Sequence, residues 1–79
     1  MLVELYTIKG CHNCKLIKEY LDKNNIKYTV VDGDKEFDKA IKAMDDAHAN
    51  TLPILKYDNN FIVGYNQDNL DKFKKLYNN

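Results

Sequence analysis

The chain reads as an α/β fold of order β-α-β-α-β-β-α, a four-stranded mixed sheet flanked by three helices. Three observations lead there. Short β-branched and aromatic runs alternate with longer amphipathic ones. The first two apolar runs enclose a helical segment, which makes a right-handed parallel β-α-β unit. The last two are separated only by Asp58-Asn59-Asn60, a turn, so they form an antiparallel hairpin.

The opening run, Leu2 to Thr7, is short, apolar and ended by Lys9-Gly10, as a buried strand is. A helix follows from about His12 to Lys23. Leu16, Ile17, Tyr20 and Leu21 form its apolar stripe, and Lys15, Lys18, Glu19, Asp22 and Lys23 cover the other face. Asn24-Asn25 ends it, because asparagine tolerates the left-handed conformation of a helix C-terminus. Ile26 to Val31 is the second strand, rich in β-branched and aromatic residues. Asp32-Gly33-Asp34 is a turn, with Asp34 a candidate cap for a helix over about Lys35 to Ala47. The expected apolar face of that helix is Phe37, Ala40, Ile41, Met44 and Ala47. A loop from His48 reaches Pro53, the only proline. Ile54–Tyr57 and Phe61–Val63 are the hairpin strands, Gly64 closes them, and Asn66 or Asp68 caps the last helix. Its apolar positions are Leu70, Phe73, Leu76 and Tyr77. No linker, repeat or low-complexity run interrupts residues 1–79, which read as one domain.

Composition narrows the function. Twelve basic residues, all lysine, balance twelve acidic ones. Zero net charge gives no electrostatic case for nucleic acid or an anionic membrane, and without arginine the bidentate phosphate donor is missing. No stretch approaches the roughly 18 apolar residues of a membrane span. The first residues carry no basic region or apolar signal segment. The expectation is a monomer in the cytoplasm.

The only two cysteines stand at Cys11-His12-Asn13-Cys14, where the first strand gives way to the first helix. That spacing closes a small disulfide or chelates a metal. Cys11 sits at the helix start, where unpaired N–H groups and the positive end of the dipole favour a thiolate, the attacking form. Lys9, Lys15 and His12 are placed to add positive charge. Cys14, one turn on, is placed to attack a mixed disulfide at Cys11 and release the reduced product. A static disulfide is the bland alternative, disfavoured in a reducing compartment. A metal-carrying domain is the sharper one. Carriers of similar length run β-α-β-β-α-β, whereas residues 35–44 are helix-like, and no second cysteine cluster completes a tetrahedral site. No metal ligands are assigned.

With strand-C-x-x-C-helix at the start and Thr51-Leu52-Pro53 opening the third strand, the sequence resembles the glutaredoxin branch of the thioredoxin superfamily. Tyr6-Thr7, Asp32 and Val63-Gly64-Tyr65 fall at the places the resemblance expects. It implies a thioredoxin-like, glutaredoxin-type fold and thiol–disulfide oxidoreductase activity, with Cys11 and Cys14 catalytic. It also implies a cis bond before Pro53, next to Cys11, and a Leu52 backbone that pairs with substrate backbone as a short added strand. The implied substrate-binding set is Lys9, His12, Thr51, Leu52, Pro53, Gly64 and Tyr65.

The reductant stays open between two branches. Glutathione-dependent glutaredoxins carry C-P-Y-C, a basic residue three before the first cysteine, and a Gly-Gly pair. Here those places hold His12-Asn13, Ile8 and Gly64-Tyr65. NrdH-like redoxins, reduced by a flavoprotein thioredoxin reductase, carry C-x-Q-C, often Leu-Pro, and Gly-Phe-x-Pro. Leu52-Pro53 and Gly64-Tyr65-Asn66-Gln67 follow that spacing, with Tyr65 for phenylalanine and Gln67 for proline. The expected partners are disulfide-containing proteins, ribonucleotide reductase among them by resemblance alone, and either glutathione or thioredoxin reductase. No tightly bound cofactor is expected. Tyr6 is read as a packing residue, His48 as a favourable charge at a helix C-terminus, and Asp68 as a cap.

Overall fold

The computed structural model describes residues 2–78. The elements are β1 (Val3–Thr7), α1 (His12–Lys23), β2 (Thr29–Asp32), α2 (Phe37–Asp46), β3 (Ile54–Tyr57), β4 (Asn60–Val63) and α3 (Gln67–Tyr77). The sheet runs β2-β1-β3-β4, with β2 parallel to β1 and the other pairs antiparallel. The expected order and the mixed sheet are both present.

β1 is central because its side chains are apolar on both faces. Val3 and Leu5 join Ile17, Leu21, Leu55, Ile62 and Phe73 in one core, and Tyr6 joins Val31, Ala43 and Ile54 in another. Strands of period two send alternate residues to opposite faces, so the sheet separates α1 and α3 from α2. Phe73 and Leu5 are completely buried, and Phe73 meets Tyr57 edge-on with ring centroids 6.0 Å apart.

Register then collects the ends of the strands. Thr7 pairs with Asp32, Tyr6 with Ile54, and Ile54 with Val63. One step beyond, the Gly64 N–H donates to the Pro53 carbonyl at 2.9 Å. Asp32, Thr7, Pro53 and Gly64 therefore form a row at one end of the sheet, the end from which the chain leaves β1 towards Cys11.

Several boundaries differ from those expected, each for a local reason. The second strand begins at Thr29, not Ile26. The Ile26 N–H is used to close α1 by donating to the Leu21 carbonyl at 3.0 Å, with Asn25 in the left-handed region at φ +56°. That is the double closure in which the residue past the left-handed one also packs as an apolar plug, and Ile26 is buried. The α1 stripe is narrower than expected: Cys14, Ile17 and Leu21 are buried, whereas Leu16 and Tyr20 are only half-buried.

α2 starts at Phe37, two residues later than expected, with Glu36 at the cap position and no side-chain cap bond. Asp34 is not a cap. Its carboxylate accepts the Lys9 N–H at 2.6 Å instead. The face of α2 also departs from expectation. Ala40 and Ala43 are buried, while Phe37 is 61% and Ile41 37% exposed. The small side chains let α2 lie close to the sheet, and the larger ones stay exposed to solvent. At the other end, His48 adopts φ +55° and the Ala49 N–H donates to the Met44 carbonyl at 2.8 Å, closing α2 as Asn25 and Ile26 close α1. At α3, Asn66 is the cap, its Oδ1 accepting the Asn69 N–H at 2.8 Å, and Asp68 lies in the first turn.

Candidate functional site: a cysteine pair beside a lysine-lined cleft

Between β1 and α1 the chain makes a tight loop, with Gly10 at φ +75° and the Cys11 N–H donating to the Ile8 carbonyl at 3.3 Å. Cys11 is the N-cap of α1. Its backbone is extended, and its Sγ accepts the Cys14 N–H at 3.0 Å, the role an oxygen plays in an ordinary cap. The cap thus holds the sulfur over the unpaired N–H groups of the first helical turn, which contains no acidic residue. Cys11 and Cys14 are joined by a disulfide, with Cα atoms 5.3 Å apart. The two sulfurs are not equivalent in access. Cys14 is 3% exposed and belongs to the buried face of α1, whereas Cys11 is half-buried.

The turn between β2 and α2 clasps the loop in front of Cys11. The Gly33 N–H donates to the Thr7 carbonyl at 2.7 Å, and the Lys9 N–H donates to Asp34. The Asp34 N–H in turn donates to Asp32 Oδ1 at 2.9 Å. A Cβ placed on Gly33 falls 2.7 Å from the Thr7 carbonyl oxygen, 3.3 Å from Ala40 Cβ and 3.4 Å from Leu52 Cδ1. Only a residue without a side chain lets the two backbones approach this closely.

Beside Cys11 a cleft of about 740 Å³ opens between the start of α1 and the β2–α2 turn. Thr7, Ile8, Lys9, Gly10, Cys11, His12 and Cys14 form one wall. Lys15 and Lys18 come from the next turns of α1, and Asp32, Asp34 and Lys35 from the opposite turn. Of the site residues singled out in the sequence, Lys9, Cys11, His12, Cys14 and Lys15 line this cleft. Thr51, Leu52, Pro53, Gly64 and Tyr65 do not.

Leu52 and Pro53 are joined by a cis peptide bond. The Leu52 side chain lies over Gly33, and Pro53 is buried at the end of the sheet beside Thr7. Thr51 is exposed, its hydroxyl donating to the Leu52 carbonyl at 3.2 Å. Tyr65 packs half-buried against the core under α3, and Asn69 Nδ2 donates to the Val63 carbonyl at 2.8 Å, fixing the turn around Gly64. Tyr6 is a packing residue, 7% exposed, and burial raises the pKa of its phenol above the ordinary tyrosine value. His48 is exposed at the end of α2. Among the described residues no three His, Cys, Asp or Glu side chains converge as metal ligands, and no helix is long and apolar enough to cross a membrane.

Sequence reasoning missed Lys18, Lys35 and Asp34 as parts of the site. The signal for Lys18 was its position three residues after Lys15 on the polar face of α1. Nothing local revealed that residues 32–35 would fold back on Lys9.

A disulfide at the start of the first helix, a cis-proline loop opening the third strand and the order β-α-β-α-β-β-α define a glutaredoxin-like redoxin with a thioredoxin-like fold. A glutaredoxin family model matches residues 3–62, and the chain belongs to that family. A curated relative, an uncharacterised glutaredoxin-like 8.6 kDa protein in the rubredoxin operon of Clostridium pasteurianum, is 28% identical over 71 residues, 90% of this chain and 95% of that one. Among solved structures, the glutaredoxin from Archaeoglobus fulgidus superposes with a TM-score of 0.78 at 23% identity, covering 92% of this chain and 85% of the other. The glutaredoxin-like NrdH-redoxin of Escherichia coli gives a TM-score of 0.77 at 18% identity, over 91% and 93%. At these identities the two structures speak for the fold.

Proposed function

We propose that this protein is a thiol–disulfide oxidoreductase that reduces disulfides in other proteins. The observation that carries the reading is the Cys11–Cys14 disulfide at the start of α1, with Cys11 the more accessible sulfur. In the reduced protein the Cys11 thiolate attacks one sulfur of a substrate disulfide. An S–S bond forms to Cys11, the substrate's S–S bond breaks, and the leaving sulfur departs as a thiolate that takes up a proton. Cys14 then loses its proton and attacks Cys11, forming the intramolecular disulfide and releasing the second substrate thiol. Two electrons have passed from the cysteine pair to the substrate. Two more, from glutathione or from a flavoprotein thioredoxin reductase, restore the thiols.

In this reading Lys9 and His12 lie against the substrate on the cleft side. Thr51, Leu52 and Pro53 offer backbone on the other side, with Gly64 and Tyr65 behind them. Residues 1–79 act as one domain and as a monomer in the cytoplasm, with no tightly bound cofactor and no metal. The disulfide of ribonucleotide reductase is one substrate to try. Both reductant routes are to be tried, since the glutaredoxin and NrdH-redoxin likenesses speak for the fold alone.

Replacement of each cysteine tests the reading. Cys11→Ser abolishes reduction of a peptide disulfide, and Cys14→Ser accumulates a mixed disulfide visible as a mass adduct. Undiminished turnover by Cys11→Ser overturns the assignment. Turnover with glutathione plus glutathione reductase, compared with turnover by thioredoxin reductase, assigns the reductant.

A further inference from the structure

The lysines of the chain are unevenly provided with partners. The ion pairs among the described residues are Lys39–Glu36, Lys42–Asp46 and Lys56–Glu4, all away from the cysteines. Lys9, Lys15, Lys18 and Lys35 all line the cleft beside Cys11, and among the described residues none of their ammonium groups forms an ion pair. Asp32 and Asp34, on the same turn as Lys35, accept neutral backbone N–H groups and form no ion pair with these lysines, so the cleft holds four lysines against two aspartates. A chain with no net charge thus concentrates positive charge in one place, next to its accessible sulfur.

The arrangement also has a direction. Lys15 and Lys18 lie one and two turns along α1 from Cys11, so the charged wall extends about 10 Å from the sulfur at 1.5 Å per residue. That length matches about three residues of extended peptide at 3.3 Å each. Lys35 faces this wall from the β2–α2 turn. A point anion needs no such run, whereas a segment carrying successive carboxylates matches it along its length.

We infer that the preferred substrate is a protein disulfide flanked by acidic residues, and that the acidic segment lies in the cleft between α1 and the β2–α2 turn while Cys11 attacks the adjacent sulfur. The inference rests on the oxidoreductase reading and adds the substrate class. The opposed charges act mainly on encounter and are screened by salt.

The test uses the pre-reduced protein in single turnover, which needs no reductase. Three synthetic peptides share one internal disulfide and differ in flanking triplets of Glu, Gln or Lys. At an ionic strength of about 0.02 M the Glu peptide is reduced about tenfold faster than the Lys peptide, with the Gln peptide between, and the spread shrinks to within about twofold at about 0.5 M. The triple variant Lys15→Gln/Lys18→Gln/Lys35→Gln loses that spread. Lys72→Gln/Lys74→Gln/Lys75→Gln, on exposed positions of α3, retains it.

Equal rates for the three peptides at low salt overturn the inference while leaving the oxidoreductase reading intact, as does a spread that survives in the cleft variant. Failure to reduce any of the peptides overturns the oxidoreductase reading itself. Inhibition by inorganic phosphate as strong as by a cysteine-free Glu tetrapeptide, at matched ionic strength, overturns the acidic-substrate inference alone and assigns the cleft to a small anion. Should the cleft variant fail to fold, the salt dependence of the unaltered protein still decides between these outcomes.

Discussion

Gly33→Ala places a methyl group where the fold leaves no room. The built Cβ lies 2.7 Å from the Thr7 carbonyl oxygen, a backbone atom that cannot rotate away. Reaching an ordinary contact distance requires roughly half an ångström or more of backbone movement in a close-packed site. Overpacking of this kind costs about 1–3 kcal/mol. The φ of Gly33 is not in the left-handed region, so alanine gains about 0.4–1 kcal/mol by restricting the unfolded chain. Taken at the middle of both ranges the balance is a loss of about 1.3 kcal/mol, or a fall in Tm of about 5–10 °C for a domain of this size. Urea unfolding followed by far-UV circular dichroism measures it. Because Thr7 leads into the Cys11 loop, the amide resonances of Ile8 to Cys11 should move more than those of α3. A stability change below about 0.3 kcal/mol, or shifts spread evenly over the protein, would refute the close approach of these two backbones.

Asp34→Ala removes the acceptor of the Lys9 N–H and should cost about 1 kcal/mol, the exposed setting keeping it at the low end for a charged acceptor. Asp34→Asn should recover part of that loss, as read from denaturant midpoints. Phe73→Ala empties the centre of the larger core and should cost about 3–5 kcal/mol. A domain this short holds only about 4–12 kcal/mol in all, so thermal unfolding should begin near ambient temperature. The Tyr6 phenol is raised above its ordinary value chiefly by burial, then by Glu4. The folded state therefore holds that proton more tightly than the unfolded chain. Its contribution is complete below pH 10 and is lost as pH rises through the raised value. Tyr6→Phe should flatten the fall of stability above pH 10 in a denaturant titration.

Most of the architecture was legible because the apolar periods switch cleanly between strand and helix. The bounds of α1 and β3 were readable to the residue, since Cys11 stands at one helix end, Asn24-Asn25 at the other, and Pro53 ahead of the strand. The boundaries that moved did so through backbone bonds that no side-chain pattern announces. Ile26 has the composition of a strand residue but closes a helix. Asp34 has the composition of a cap but is captured by Lys9, twenty-five positions away. Phe37 and Ile41 satisfy a helical stripe, yet the buried Ala40 and Ala43 decide how close α2 approaches the sheet. The site divided along the same line. Cys11, Cys14 and Pro53 stand out by residue type. Lys18 on α1 and Lys35 on the opposite turn are ordinary surface lysines until the turn after β2 folds against α1.

The chain reaches Cys11 directly from β1, a strand bonded on both sides and buried along nearly its whole length. Amides in such a strand exchange with solvent only when the whole domain opens, whereas helix ends and edge strands open locally. The Cys11 sulfur is therefore anchored four residues from the segment slowest to exchange. Fraying at α3 or along the β4 edge leaves its position unaffected, so within one folded lifetime the geometry around it should stay the same.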